Sequence, residues 1–362
     1  MSSVATLPER APAEAREKSN LGEFLADLVE VADPRTGSDV TERAINRLQH
    51  LHGAKRALNG NDGTSGGYAL PVNYYDELLL AVNRISIVRP RATVVQVSAV
   101  TTPIPMLDQA TNPTGGYAAA GGMVTSWGPT GAGSTETSPT LQQGSLTVHE
   151  LTGYMEASVP LAKLSRPAMA TIFKTVAAEA IAAAEDAAFL LGGPARPIGI
   201  TTSGAMITTA TRSSGSALTL ADVLLVLNRL PASSRNRAVF VLSQLAEKTV
   251  IAGTGAANGL ANAGAITADA EGQLRLLGRP LLITDLLGAF NTLGDLMALD
   301  LSRYLIGDFG MPEIAVSVDH KFRESKVAFR TWQMTGGIPW TNKAAILPDG
   351  STTISPFVQL GI

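Results

Sequence analysis

Helical and strand-like spacings of apolar residues succeed one another along this chain without a regular rhythm. The predicted helices cover residues 21–29, 45–58, 74–85, 166–191, 220–230 and 243–251. The predicted strands cover residues 92–100, 146–159, 238–242, 281–284 and 297–301, with further alternation between 312 and 362. Thr219 and Asp222 form a capping-box pattern at the start of the helix at 220–230. Because no βαβ repeat organises these elements, they indicate an α+β fold.

The longest predicted helix, 166–191, is rich in alanine and bounded at both ends. Ser165 can cap its start, and Gly192-Gly193 ends it. At 1.5 Å per residue it spans roughly 40 Å, long enough for the backbone of a subunit. One stripe along it consists of Ile172, Val176, Ala180, Ala184, Ala187 and Leu191. The Glu185-Asp186 pair is expected on the solvated side of the helix.

Residues 101–145 form a long segment that is almost free of charge. Asp108 and Glu136 are the two charged residues among its 45, and 26 of the 45 are Gly, Pro, Ser or Thr. Such a composition does not build a core of its own, and loops of this length are normally functional or disordered. We interpret the segment as an arm, with short strands near Tyr117 and Trp127, that becomes ordered against neighbouring copies. Self-assembly rather than catalysis is then the expected role.

Residues 1–60 differ from the rest of the chain in charge. They carry nine acidic and eight basic residues, 17 charges in all, against 42 in the remaining 302 residues. The two helices predicted here have weak apolar faces, and short helices of this kind need a partner to persist. Two interpretations stay open: a helical extension that guides or decorates an assembly, and a solvated flexible tail.

The overall composition excludes several classes of protein. A net charge of −3 without a Lys/Arg stripe provides no phosphate track for nucleic acid. The absence of cysteine excludes disulfides, thiolate catalysis and Cys-based metal centres. Residues 1–20 are charged where a signal peptide is apolar, and no run of 18 apolar residues predicts a membrane span. A soluble intracellular protein is therefore expected.

The sequence predicts no catalytic, cofactor-binding or metal-binding residues. The four histidines, His50, His52, His149 and His320, lack partners at a metal-ligand spacing. Neither a Gly-x-Ser-x-Gly elbow nor a Walker-type motif occurs. The glycine-rich run at 253–259 has its third glycine one residue too late for a dinucleotide loop, and it follows a helix rather than a strand. The chain is accordingly expected not to be an enzyme.

Five features follow one another over about residues 63–362. They are Gly66-Gly67-Tyr68-Ala69-Leu70-Pro71, the neutral segment at 101–145, the helix at 166–191, Gly192-Gly193 followed by Pro197-Ile198-Gly199-Ile200, and Leu277-Gly278-Arg279-Pro280-Leu281. This order resembles the major capsid protein of tailed double-stranded DNA bacteriophages, which has the Hong Kong-97-type fold. In that family the features correspond to the start of the N-terminal arm, the extended loop, the spine helix, a Gly-rich signature and a Leu-Gly-x-Pro turn.

The resemblance implies a division of the chain into named parts. They are a charged helical N-terminal extension (1–62), an N-terminal arm (63–98), an extended loop or β-hairpin (99–150), a peripheral domain (151–215) with the spine helix 166–191, an axial domain (216–310) and a return to the peripheral domain (311–362). Tyr117, Met123 and Trp127 are the expected contacts of the loop with neighbouring subunits.

The resemblance also implies partners and a location. L-shaped subunits would assemble with themselves, as pentamers and hexamers, into an icosahedral shell that encloses double-stranded DNA without sequence-specific binding. Portal, scaffolding and cement or decoration proteins are further expected partners, and neither a cofactor nor a membrane is expected. The location would be the virion capsid, after assembly in the cytoplasm of a host bacterium.

Two departures from the family pattern matter. Some members cross-link their shells through a lysine of the extended loop, but this chain has no lysine between Lys55 and Lys163. A shell held non-covalently is therefore expected. Many members also lose a long N-terminal scaffolding region, whereas residues 1–60 are short for that role. They are expected to stay and to contribute inter-subunit or inner-surface contacts.

Other functions stay open beside the capsid interpretation. An encapsulin-type nanocompartment or a gene transfer agent shell protein would share the fold and differ in cargo. Encapsulins often lack a long N-terminal extension, so residues 1–60 weigh against that option. An enzyme or a small-molecule-binding protein is the alternative from another class.

Overall fold

The computed structural model describes residues 21–32, 38–48, 68–69, 81–82, 85–107, 141–159, 166–213, 217–252, 260, 264–347, 349 and 351–362. The chain divides into two compact units. Unit 1 comprises Met1–Ile85, Glu150–Ala183 and Gly310–Met334, and unit 2 comprises Ser86–His149, Ala184–Phe309 and Thr335–Ile362. The chain therefore passes between the two units five times.

Helices and strands both contribute to each unit. The described helices are α1 (Leu21–Ala32), α2 (Ser38–Asn46), α3 (Arg166–Leu191), α4 (Leu220–Asn228) and α5 (Gln244–Ala252), with 3-10 turns at Leu301–Arg303 and Phe322–Glu324. The strands are β1 (Tyr68–Ala69), β2 (Thr93–Val97), β3 (Thr101–Leu107), β4 (Leu141–Ser158), β5 (Met206–Thr211), β6 (Val239–Ser243), β7 (Ile266–Ala268), β8 (Leu274–Leu276), β9 (Arg279–Thr284), β10 (Leu296–Leu299), β11 (Tyr304–Ser317), β12 (Lys326–Pro339), β13 (Ala345–Ile346), β14 (Thr353–Ile354) and β15 (Phe357–Gly361). The predicted α+β class is confirmed.

Unit 1 is built on one apolar core. Its strands follow the order β1–β11–β12–β4, with Tyr68 opposite Ile314 where β1 pairs with β11. Side chains of α1, of α3 and of these long strands share the core. The rings of Phe173 and Phe329 meet edge to face, with centroids 6.2 Å apart. The core therefore fastens the first part of α3 to β12.

Unit 2 contains a seven-stranded sheet in the order β5–β15–β10–β6–β9–β8–β7. β10 pairs antiparallel with β6 and β15, whereas β6 with β9 and β15 with β5 are parallel pairs. Every residue of β6 is buried, as expected for a short apolar strand in the middle of a sheet. Also in unit 2, β2 pairs in parallel with the start of β11, and β3 pairs antiparallel with β4.

The Gly-rich signature after α3 forms a close contact between two backbone segments. Gly192 ends the helix with a φ of +69°, a conformation that costs glycine little. Gly199 lies so close to Gly192 that a Cβ on either residue would collide with the backbone of the other. The amide of Ile200 donates to the carbonyl of Phe189 at 2.8 Å, satisfying one of the last helical carbonyls. The signature is thus a helix end that is closed by the segment following it.

The Leu-Gly-x-Pro motif is a tight hairpin turn. Leu276 pairs with Arg279, which leaves Leu277 and Gly278 as a two-residue connection between β8 and β9. Both have positive φ, +49° and +76°, as a type I′ turn requires. The motif therefore sets the register of an edge of the sheet in unit 2.

Several predicted helix ends are confirmed. α3 runs over Arg166–Leu191, the expected bounds. Thr219 and Asp222 form the predicted capping box, although α4 ends at Asn228, two residues before the expected end. The hydroxyl oxygen of Ser243 accepts from the amide of Leu245 at 3.2 Å at the start of α5.

The face that α3 turns to the core was predicted wrongly. Ile172 and Val176, from the predicted stripe, are exposed, while Phe173 and Ile181 are buried. The Glu185-Asp186 pair was expected in solvent, yet these residues are only 2% and 5% exposed. An alanine-rich helix is apolar on every side, so its pattern does not identify the buried face.

The interpretation of residues 1–60 as a solvated flexible tail is wrong for those residues of this region that the structure describes. Helical structure covers Leu21–Ala32, in agreement with the helix predicted at 21–29. The second helix, Ser38–Asn46, begins seven residues before the one predicted at 45–58, and residues 49–58 lie outside the described residues. Phe24 and Leu25 are fully buried in the core of unit 1. A solvated flexible tail does not bury such residues.

Candidate assembly surface

The described ends of the neutral segment form an uncharged two-stranded base. β3 and β4 pair from Thr101 opposite Thr147 to Leu107 opposite Leu141. None of the residues at 101–107 and 141–147 is charged. The predicted strand at 146–159 thus anchors the returning limb, as expected. Tyr117, Met123 and Trp127, the predicted inter-subunit contacts, lie in 108–140, outside the described residues.

The outer edge of this base has few hydrogen-bond donors. β3 stands at the end of its sheet and carries Pro103 and Pro105, both exposed. Proline has no backbone N–H, so it is tolerated on an edge strand and hinders the addition of a further strand there. Contacts between the base and another molecule are therefore expected on its faces.

In unit 2, α4 is apolar on both sides. Val223 and Val226 are buried against the sheet, while Leu220, Leu224 and Leu225 are 37%, 44% and 39% exposed. Its one charged residue, Asp222, is fully buried in the capping box and does not reach the outer face. Contiguous exposed apolar side chains of this kind mark interaction surfaces.

Two further elements expose apolar side chains. On α3 in unit 1, Ile172 and Val176 are 42% and 48% exposed and lie one turn apart. On β2 in unit 2, Val94 and Val95 are each 43% exposed, although they point to opposite faces of the strand. Each unit therefore exposes apolar side chains that a second copy can cover.

A buried charge cluster lies in unit 2. The guanidinium of Arg89 makes two hydrogen bonds to Glu185, from Nε to Oε2 at 2.7 Å and from NH2 to Oε1 at 2.6 Å. It makes two more to Asp308, from NH1 to Oδ2 at 2.8 Å and from NH2 to Oδ1 at 3.1 Å. The hydroxyl of Thr335 donates to Asp308 Oδ1 at 3.0 Å. Bidentate contacts of this kind are the strongest that arginine makes with carboxylates.

The neighbouring carboxylate, Asp186, organises the turn that carries Arg89. It accepts the hydroxyl of Ser86 at 2.7 Å and the amides of Ile87 and Val88 at 2.7 and 3.0 Å. The amide of Arg89 donates in turn to the oxygen of Ser86 at 3.2 Å. Through Glu185 and Asp186, α3 thus binds both the side chain of Arg89 and the backbone amides of the turn.

Burial and ion pairing shift the pKa values of the cluster in opposite directions. Burial raises the pKa of Glu185, against the opposing effect of the charge of Arg89. It also raises the pKa of Asp186, against the hydrogen bonds from Ile87 and Ser86. Burial alone would lower the pKa of Arg89, but the charge of Glu185 and the hydrogen bonds to Asp308 and Glu185 raise it well above its ordinary value. The guanidinium therefore stays charged.

The cluster joins segments that are distant in sequence. Ser86, Glu185, Asp308 and Thr335 each lie within two residues of a point where the chain passes between the units. Their hydrogen bonds bring together four ends of the three chain segments that make up unit 2. Sequence reasoning missed this cluster, although Glu185 and Asp186 share a helix face with Ala182 and Phe189 at spacings of three and four residues.

The part of the chain that the structure describes contains no cluster suited to a metal ion. In that part of the chain no group of three or more His, Asp or Glu side chains is arranged to hold a metal ion. His320 makes an edge-on ring contact with Tyr154, with centroids 6.0 Å apart. Of the described helices, none combines the length and the apolar character needed to span a membrane.

Comparison with known proteins gives a consistent result. The model of the phage capsid family matches residues 66–350. The structure titled "Capsid of empty GTA particle computed with C5 symmetry" is 20% identical, with a TM-score of 0.53, and the match covers 76% of this chain and 89% of that one. The capsid of the native GTA particle is also 20% identical, with a TM-score of 0.50 over 75% of this chain and 88% of the other. No curated protein sequence matches the chain.

These similarities confirm the expected Hong Kong-97-type fold. The matched stretch begins in the Gly-Gly-Tyr motif and includes the arm base, α3 and the Leu-Gly-x-Pro turn. It covers well over half of the chain, so the likeness is not confined to one motif. This chain therefore belongs to the phage capsid family, and it is a shell-forming major capsid protein.

Proposed function

We propose that this protein assembles, as pentamers and hexamers, into an icosahedral shell that encloses double-stranded DNA and is held together without covalent cross-links. The main observation behind this proposal is the uncharged base of the arm, which β3 and β4 form. It occurs in a chain that belongs to the phage capsid family. Covering such a segment with a neighbouring subunit buries apolar surface and desolvates few charges. This burial contributes on the order of 25 cal/mol per Å² before the cost of ordering.

The proposed division of the chain follows the family pattern. We assign residues 99–150, which include the neutral segment, to the extended loop. Unit 1 is assigned chiefly to the peripheral domain, and residues 216–310 of unit 2 are assigned to the axial domain. Tyr117, Met123 and Trp127 are proposed as the contacts of the loop with the next subunit, because aromatic and methionine side chains are favoured at interface centres. The outer face of α4 is proposed as a second contact.

The remaining roles follow from charge and chemistry. No Lys/Arg stripe is available to condense DNA, so filling of the shell requires an external motor and a portal protein. Scaffolding and cement proteins are proposed as further partners, assembly is proposed in the cytoplasm of the host bacterium, and no catalytic step is assigned to the chain.

Electron microscopy of the expressed full chain tests the shell. We expect closed shells tens of nanometres across, with five-fold and six-fold capsomers after reconstruction. A denaturing gel of the particles should show one band near 37.6 kDa. A ladder of covalent oligomers would exclude the non-covalent shell, and soluble monomers without particles would exclude the proposed assembly.

A variant set tests the loop contacts. Alanine at Tyr117, Met123 and Trp127 together should make shells dissociate at a lower urea concentration, measured by light scattering. Thr130→Ala in the same segment is the matched control, because it removes no large apolar side chain. Equal dissociation of both variants would show that these residues are not contacts.

A gene transfer agent shell is the second candidate. It is favoured by one observation, that the two structures with TM-scores of at least 0.50 described above are GTA capsids. Sequencing the nucleic acid inside purified particles separates the candidates. A single viral genome supports the phage shell, and mixed fragments of host DNA support the gene transfer agent.

A further inference from the structure

The first described helix of the chain lies inside the core of unit 1. Phe24 and Leu25 are fully buried, and Leu28 and Val29 are 4% and 1% exposed. These side chains share one cluster with residues of α3, β11 and β12. Those residues are Phe173, Ala178, Ile181, Ala182, Ile314, Val327 and Phe329. α1 is therefore part of the core rather than a surface addition.

Arg47, the first residue after α2, forms ion pairs with two acidic residues of α1. Arg47 donates from Nε to Asp27 Oδ1 at 3.0 Å and from NH2 to Glu30 Oε2 at 2.7 Å. Asp27 is only 1% exposed, so its contact with Arg47 is shielded from water on the carboxylate side. The hydrogen bond to Asp27 outweighs burial and raises the pKa of Arg47. Leu48, the next residue, is fully buried in the same core.

These helices lie outside the stretch that defines the family. The family model begins at residue 66, whereas α1 and α2 end before residue 49. The core of unit 1 is thus completed by a part of the chain that the family model does not include. Detaching α1 would expose both its own apolar face and the surface of α3 and the strands beneath it.

We propose that residues 21–48 are a permanent part of unit 1, remain in the assembled shell, and are not a removable assembly aid. A cut between residues 49 and 67 then leaves both helices bound. The core-facing surface of α3 is then closed to neighbouring subunits. Contacts between copies must use exposed positions such as Ile172 and Val176.

The test uses the full chain with a cleavage site for a specific protease inserted at Asn59–Gly63. Assembled shells and unassembled subunits are cut separately and passed through a sizing column in native buffer. We expect the N-terminal fragment to elute with the shells and with the subunits, and to separate only in denaturant. Release of the fragment in native buffer from either sample would overturn the proposal. Because the subunit is tested on its own, a failure to form shells does not affect the result.

Two substitutions make the assay specific for the buried charge pair. Arg47→Ala in the cut protein should release the fragment at least about tenfold faster, since the guanidinium that bonds Asp27 and Glu30 is then missing. Arg43→Ala is the matched control, because Arg43 pairs with Asp39 at 3.8 Å with side chains 70% and 84% exposed. Equal release rates for the two variants would contradict the role assigned to Arg47. Intact-mass measurement of particles from an infected or expressing host must find residues 21–48, and their absence would also overturn the proposal.

Discussion

Replacing Arg89 by methionine should destabilise unit 2 severely. The arginine makes four hydrogen bonds of 2.6–3.1 Å to Glu185 and Asp308, and its side chain is 4% exposed. Methionine fills part of the volume but removes the positive charge that both buried carboxylates contact. Removing one partner of a buried ion pair costs about 3–5 kcal/mol, and we expect the upper part of this range because Arg89 bonds two carboxylates.

Urea unfolding of the unassembled subunit, followed by far-ultraviolet circular dichroism, measures this loss. Arg43→Met is the control, because its exposed pair with Asp39 contributes at most about 1 kcal/mol. Adding Glu185→Gln and Asp308→Asn to Arg89→Met should restore much of the stability, since the two side chains that Arg89 bonded then carry no charge. A loss below about 1 kcal/mol for Arg89→Met, or no recovery in the triple variant, would refute the argument from buried charge.

The same variant should respond to pH in a defined direction. Burial already raises the pKa of Glu185, and replacing Arg89 removes the charge and the hydrogen bond that lower it. A carboxyl whose folded-state pKa is raised favours the folded state when protonated, and this contribution is lost as pH rises through the folded pKa. The stability difference between wild type and Arg89→Met should therefore shrink on going from about pH 8 to about pH 5. A difference that grows towards acid would contradict the proposed cause.

Three further perturbations test other parts of the molecule. Leu25→Ala should lower the free energy of unfolding by about 2–5 kcal/mol in the same urea assay, whereas Val40→Ala at an exposed position should change it by less than about 0.5 kcal/mol. Asp222→Asn should cost about 1 kcal/mol at neutral pH, because burial would raise the pKa of Asp222 but hydrogen bonds from Ser213 and Thr219 lower it. Stability from a lowered pKa is lost as pH falls through the folded value, so this difference should begin to shrink at the ordinary carboxyl pKa and vanish only below the lowered pKa of folded Asp222. Leu224→Asp should block particle formation in electron microscopy while the subunit keeps its urea midpoint, and normal particles would exclude the outer face of α4 as a contact.

Helix ends were predictable because local chemistry determines them. Gly192 ends α3 in a conformation that suits glycine, and Thr219 with Asp222 begins α4 through hydrogen bonds between residues three apart. The Leu277-Gly278 turn is local in the same sense, since two residues define its geometry. Such features depend on neighbours in sequence and can be read without the rest of the fold.

Burial was harder to predict, because it depends on residues far away in sequence. Glu185 is buried since Arg89, 96 residues earlier, neutralises it. α1 is buried since unit 1 supplies an apolar surface from α3 and two long strands, and nothing in residues 21–32 reveals that surface. The candidate loop contacts Tyr117, Met123 and Trp127 remain predictions, because 108–140 lies outside the described residues.

The prolines of β3 have a consequence for how growth of an assembly stops. A sheet edge with a full set of donors and acceptors can recruit strand after strand, which leads to open-ended fibres. Pro103 and Pro105 remove two donors from the edge of a base that every subunit carries. Association of copies is therefore directed to side-chain surfaces, whose angles are set by the folded units rather than by an extendable sheet edge.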